Sequence, residues 1–174
     1  LMVMQRISRK MRKERDKNGA LNFESDEVRF RLDPQGVPLE VYVKDRKEAH
    51  LLIEDFMLLA NKEVAFYMDG LSAARQEVPF VYRVHDQPDM ERVAEFARFA
   101  AEMGHKLKID TPKQIAQSFN ELTTAARTDE RLKLLAPLAI RTMAKAIYTT
   151  QNIGHYGLGF THYSHFTSPI RRYS

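Results

Sequence analysis

A chain of 174 residues, 44% hydrophobic and 29% charged, has the length of one ordinary domain and enough apolar material for a core, which excludes a disordered chain. Its longest apolar run, residues 134–140, falls far short of the ~20 residues that cross a bilayer, and no charged-then-apolar leader opens the sequence, so no membrane role is expected. The absence of cysteine excludes disulfide scaffolds, zinc knuckles and thiol nucleophiles together, and the compartment expected is a reducing one, the cytoplasm.

The net charge of +4 is gathered at one end, because residues 1–17 hold seven Lys and Arg against two carboxylates. Met4, Ile7 and Met11 recur there at helical spacing among Arg6, Arg9, Lys10, Arg12, Lys13, Arg15 and Lys17. The pattern predicts an amphipathic basic helix that ends at Asn18-Gly19 and serves either as a solvated face or as a surface that follows phosphates.

Val28, Phe30 and Leu32 then alternate with arginines, and Leu39, Val41 and Val43 with Glu40, Tyr42 and Lys44. With Asp33-Pro34-Gln35-Gly36 as the turn between them, residues 27–44 read as a β-hairpin. Leu52, Ile53, Phe56, Leu59, Ala60 and Val64 follow a 3.6-residue period, predicting a buried helix over residues 46–68 that Gly70 closes. Residues 79–84 read as a short strand, and residues 88–103 as a helix with Val93, Phe96, Ala97 and Ala100 inward and Gly104 past its end. Thr111-Pro112 starts another helix. Thr128-Asp129-Glu130 starts the last helical stretch, which Pro137 divides before residues 138–148 continue it. With no repeat, low-complexity tract or long linker, the chain reads as one helix-rich α+β unit.

Chemistry is densest at the end of the sequence. From Gln151 onward there is no carboxylate, while three of the six histidines and three of the seven glycines fall there. Thr167 or Ser168 is suited to cap a helix, Pro169 to its first turn, and Arg171 and Arg172 to that same turn, where a cation is unfavourable unless an anion lies in front of it. Either a phosphate answers the two arginines, or carboxylates of a neighbouring element do. His155, His162 and His165 raise the question of a metal, but the segment offers no acid beside them. Glu54 and Asp55 point about 100° apart on a helix and make no catalytic dyad. One of them is solvated while the other anchors a cation such as Arg83 or Arg171, or the pair lies along a nucleic-acid channel. Phe23 is a core contact or a platform on which a base stacks.

Gly19-Ala20-Leu21-Asn22-Phe23, Ile53-Glu54-Asp55-Phe56-Met57-Leu58-Leu59-Ala60-Asn61, Pro79-Phe80-Val81-Tyr82-Arg83-Val84-His85-Asp86 and the block from Gly154 to Tyr173 resemble, in order and spacing, the RNB catalytic domain of the ribonuclease II / ribonuclease R family of 3′-to-5′ exoribonucleases. The resemblance implies that residues 1–174 are the C-terminal portion of that domain, truncated at both ends, without the flanking cold-shock and S1 domains. It implies a processive enzyme that threads single-stranded RNA and releases nucleoside 5′-monophosphates by Mg²⁺-assisted hydrolysis. The aspartates that hold Mg²⁺ in the family are expected upstream, so no metal ligand is assigned within the chain, and the chain alone is expected to be inactive.

Carried over by position, Arg171 is the catalytic arginine at the scissile phosphate. Arg172 supports it, and Ser168 and Tyr173 of the same run are counted as substrate-binding. Phe23 is one of two aromatic jaws on the terminal base. Asp55 stands where the family commonly has a glutamate that meets the terminal nucleotides, with Glu54 as the alternative, and Asn22 stands where aspartate is common. The rival expectation is a non-catalytic basic module, derived from the same fold, that binds RNA or a protein partner.

Overall fold

The basic stretch forms helix α1 (Met2–Lys17), and Gly19 beyond it takes a φ of +87°, a conformation that glycine adopts without strain. The computed structural model describes residues 1–22, 28–45, 47–75, 78–168 and 170–173, with Arg75, Arg172 and Tyr173 described by their backbone alone. Phe23 and Pro169 lie outside the described residues.

The hairpin is as its alternation predicts. Strands β1 (Val28–Leu32) and β2 (Pro38–Val43) pair antiparallel with Val28 opposite Val43 and Phe30 opposite Val41. Asp33 ties the turn, its carboxylate accepting from the N–H groups of Gln35 and Val37. Both strands are exposed along their whole length.

Helix α2 (Glu48–Arg75) runs straight through Gly70, which the sequence pattern marks as its end. An interior glycine costs only about 1 kcal/mol relative to alanine, too little to stop a helix that continues on both sides. Strand β3 (Tyr82–Val84) is shorter than expected. Helix α3 (Met90–Glu102) starts at Asp89, whose side chain accepts from the N–H groups of Glu91 and Arg92. Helix α4 (Pro112–Ala125) starts at Thr111, which accepts from Gln114 N–H.

Pro137 divides the next stretch into α5 (Glu130–Lys133) and α6 (Leu135–Arg141). A proline ring collides with the carbonyl four residues back, and Lys133 is that residue. The expected helical continuation over residues 138–148 holds only as far as Arg141. After α6 ends at Arg141, the chain forms strand β4 (Ile147–Thr149), antiparallel to β3 with Arg83 opposite Tyr148. Pairing with β3 satisfies the backbone of this triplet, whose β-branched and aromatic side chains suit a strand.

The main core joins α3, α4 and α6 through Val93, Phe96, Ala100, Ile115, Phe119, Leu122, Leu135 and Ala139. A smaller cluster packs Ala65 of α2 against Tyr82 and Val84 of β3. The architecture is helix-rich α+β, as expected. Among the described residues, no helix is long and apolar enough to cross a membrane.

Candidate functional site

The junction of α1 and α2 is built on a carboxylate. Asp55 is 3% exposed, and its Oδ2 accepts from Ser8 Oγ at 2.6 Å and from Arg12 Nη2 at 2.8 Å, while Oδ1 lies 3.3 Å from Arg15 Nη1. Glu48, two turns earlier, meets Arg9 Nε at 3.4 Å. Gln5, Ser8, Arg12 and Arg15 share one stripe of a helix, so the inward face of α1 is polar. Met4 and Ile7, which recur at helical spacing on another face, are each 44% exposed. A buried carboxylate selects the cations, leaving Arg6, Lys10, Lys13 and Lys17 on the outer face.

Asp55 is thus the member of the pair that anchors a cation, although its partners are Arg12 and Arg15, and neither Arg83 nor Arg171. Glu54 beside it is half-buried. A cleft of about 220 Å³ opens next to this junction, bounded by Arg15, Asp55, Lys62, Phe160 and Thr161.

The glycine-rich block lies along β3. Arg83 N–H donates to Tyr163 O at 2.9 Å, His85 N–H to Gly154 O at 3.0 Å, and Ser164 Oγ to Val81 O at 2.9 Å. Gly157 N–H donates to His85 Nδ1 at 2.8 Å, so the His85 proton is on Nε2, facing Ala144 O at 2.8 Å. A Cβ at Gly157 would stand 2.9 Å from His85 Nδ1, which is why this position needs glycine. His155 accepts from Leu158 N–H, and burial first, then the neighbouring His85, pushes its pKa down to about 3. It is neutral at physiological pH.

The segment leading to Phe23 is fastened to the same block. Leu21 N–H donates to Gly157 O at 2.9 Å, and Asn120 of α4 accepts from Asn22 N–H and donates to Ala20 O. The three histidines of the block do not converge. His162 lies 3.2 Å from Asp69 of α2 and edge-on to Phe66, apart from the other two. Among the described residues, no group of three or more His, Asp or Glu could hold a metal ion.

At the end of the block, the helix expected from Thr167-Ser168-Pro169 is a single 3₁₀ turn over Ile170–Tyr173, closed by Arg171 N–H on Ser168 O at 3.2 Å. Four residues carry no useful helix-end field, so an anion there depends on the arginine side chain itself. Asn61 of α2 fixes the approach, accepting from Thr167 N–H at 2.9 Å and donating to Tyr163 Oη at 3.4 Å. The exposed Arg171 places Nη1 3.2 Å from His165 Nε2, and His165 Nδ1 lies 2.7 Å from Tyr148 Oη. The guanidinium of Arg83 sits 4.5 Å over the Tyr148 ring.

No carboxylate lies within ion-pair distance of Arg171 among the described residues. Two guanidiniums flank an aromatic and a neutral imidazole, an arrangement that attracts an anion and holds donors for its oxygens.

Arg171, Ser168 and the backbone of Arg172 and Tyr173 fall together in this last turn, whereas Asp55 belongs to the α1 junction. Sequence reasoning did not single out Arg83, Tyr148 or His165 as one group. Arg83 is detectable in principle, since it lies between two inward residues of a strand and must face the other way. Tyr148 was hidden by the helical reading of its segment.

A family model described as the RNB domain matches residues 1–174. The chain is 40% identical over 158 residues to ribonuclease R of Mycoplasmopsis pulmonis, covering 89% of this chain and 21% of that protein. It is 35% identical over 176 residues to ribonuclease R of Aquifex aeolicus, covering 99% of this chain and 24% of that one. The chain therefore spans about a fifth to a quarter of the length of these relatives. Its structure superposes with a TM-score of 0.84, at 27% identity, on Mycoplasma genitalium RNase R in complex with ribose-methylated single-stranded RNA, covering 99% of this chain and 26% of that one.

Proposed function

The chain belongs to the RNB domain family, and on that premise we propose that the protein carrying it is a 3′-to-5′ exoribonuclease that hydrolyses single-stranded RNA processively to nucleoside 5′-monophosphates. In this reading residues 1–174 form the C-terminal portion of an RNB exoribonuclease domain. The observation that carries it is Arg171: an exposed guanidinium, bonded to an uncharged acceptor and left without a carboxylate among the described residues. Such a group can grip two phosphate oxygens and is most useful when charge grows on them.

Arg171 is assigned to the scissile phosphate. Arg172, Ser168 and Tyr173 support the RNA in the same turn, and Phe23 stacks on the terminal base. Glu54 replaces Asp55 as the carboxylate assigned to the substrate, because the oxygens of Asp55 are engaged by Ser8, Arg12 and Arg15. A divalent cation, Mg²⁺, is the expected source of the attacking hydroxide. The described residues of this chain do not form a site for it, and no step here is routed through it. The cytoplasm is the proposed compartment.

The test offers the full-length protein, with Mg²⁺, a 5′-labelled linear single-stranded RNA and a circular RNA of the same sequence. Linear RNA is expected to shorten stepwise from its 3′ end with release of nucleoside 5′-monophosphates, while the circle stays intact. The 174-residue chain alone should leave both untouched. Cleavage of the circle would contradict an exonuclease, and RNA binding without any cleavage by the full-length protein would favour a basic binding module on the same fold.

A further inference from the structure

Arginine has five N–H donors and no acceptor. The contact of Arg171 Nη1 with His165 Nε2 at 3.2 Å therefore requires a lone pair on Nε2. The single proton of the neutral ring is then on Nδ1, aimed at Tyr148 Oη 2.7 Å away. His85, 80 sequence positions earlier, is held in the opposite tautomer by Gly157 and Ala144, so the fold sets these two imidazoles separately.

We propose that His165 is the positioning residue of Arg171: as the Nδ1–H tautomer backed by Tyr148, it holds one guanidinium N–H and directs the remaining N–H groups toward a phosphodiester oxygen. The proposal rests on the exoribonuclease reading for the reaction it serves, but not for the hydrogen bonds themselves. A carboxylate in the same place would fix the arginine more firmly and also cancel the charge that the phosphate needs. A neutral imidazole orients the guanidinium and leaves its charge intact, and a donor already oriented before reaction loses no free energy to reorganisation.

The support behind the imidazole is continuous. Arg83 of β3 stacks on Tyr148 of β4, Tyr148 meets His165, and His165 meets Arg171. The backbone on either side is fastened by Ser168 N–H on His165 O at 3.1 Å and by Thr167 N–H on Asn61. Among the described residues, the charged groups facing the ring are the guanidiniums of Arg171 and Arg83. The titratable ones are Tyr148, Tyr163, whose ring lies 5.5 Å away, and His155 beyond it, edge-on to Tyr163. Burial first, then Arg171 and Arg83, lowers the pKa of His165 below the usual histidine value. Acid that finally protonates the ring removes the acceptor and places a third cation against Arg171.

The experiment uses the full-length protein and combines ¹⁵N NMR of the histidine rings with single-turnover cleavage at saturating single-stranded RNA between about pH 5 and 8. His165 is expected as the Nδ1–H tautomer at neutral pH. His165→Phe should slow cleavage about tenfold, in line with poorer orientation at one reacting group, while RNA affinity changes far less. His165→Gln, whose amide oxygen can accept from Arg171, should recover most of the rate and lose the acid-side decline of the wild type.

A proton found on Nε2, or a His165→Phe protein with the wild-type rate and pH profile, would overturn the proposal. If His165→Phe fails to fold, the tautomer and the His165→Gln profile decide the matter. If the wild type cleaves no RNA, the exoribonuclease reading fails, and the tautomer still judges the bond between His165 and Arg171.

Discussion

Asp55 has the chemistry of a substrate-facing carboxylate and uses it to seat a helix. Its two oxygens take Ser8, Arg12 and Arg15 at the α1–α2 junction, so Asp55→Asn should leave two half-buried guanidiniums underpaired. Breaking one side of a buried ion pair costs about 3–5 kcal/mol. Amide exchange across residues 2–17 of the full-length protein should therefore quicken at least ~10²-fold, as α1 opens locally. Unchanged protection of α1 would mean that this ion-pair cluster contributes nothing to its docking. The sequence narrows the anchor to Glu54 or Asp55 and stops there. Adjacent helix positions differ by about 100°, and only the docking of α1 decides which one turns inward. Arg171 is different, because its proposed role follows from a motif and its contact with His165 is one that spacing alone could not predict.

Whole elements were legible where caps and periodicity agreed. Asp89 and Thr111 start α3 and α4 where the side-chain chemistry says they should, and the period-two alternation of residues 28–43 gives the hairpin its register. The misses have separate causes: α2 overruns Gly70 because one interior glycine costs too little to end it, and β4 forms because β3 offers it a partner. Helix α1 is basic, as its composition predicts, and turns a polar face toward Asp55. With Arg12 and Arg15 committed to Asp55, the outer cations are the ones available to a phosphate chain. Replacing Arg6, Lys10, Lys13 and Lys17 by glutamine in the full-length protein should flatten the dependence of log K for single-stranded RNA on log salt. Removing one cation that neutralises a phosphate lowers the slope by about 0.7. An unchanged slope would make the outer face of α1 a solvated surface only.

At the scale of the molecule, the last block gathers on β3 what distant parts of the chain supply: Arg83 from one strand, Tyr148 from the next, Asn61 from α2, and Arg171 itself. A scaffold of this kind is suited to an arginine that acts in the chemical step, because it fixes the donor before the RNA arrives. Single-turnover cleavage of single-stranded RNA by the full-length protein, at saturating RNA, tests this most directly. Arg171→Ala should lower the rate by ~10²–10³, the scale on which removing one preorganised donor acts, with a much smaller decrease in RNA affinity, and Arg171→Lys should recover little because lysine lacks the planar fork. An Arg171→Ala protein that binds RNA poorly, yet cleaves it at the wild-type rate once saturated, would contradict the account and leave this arginine a binding residue.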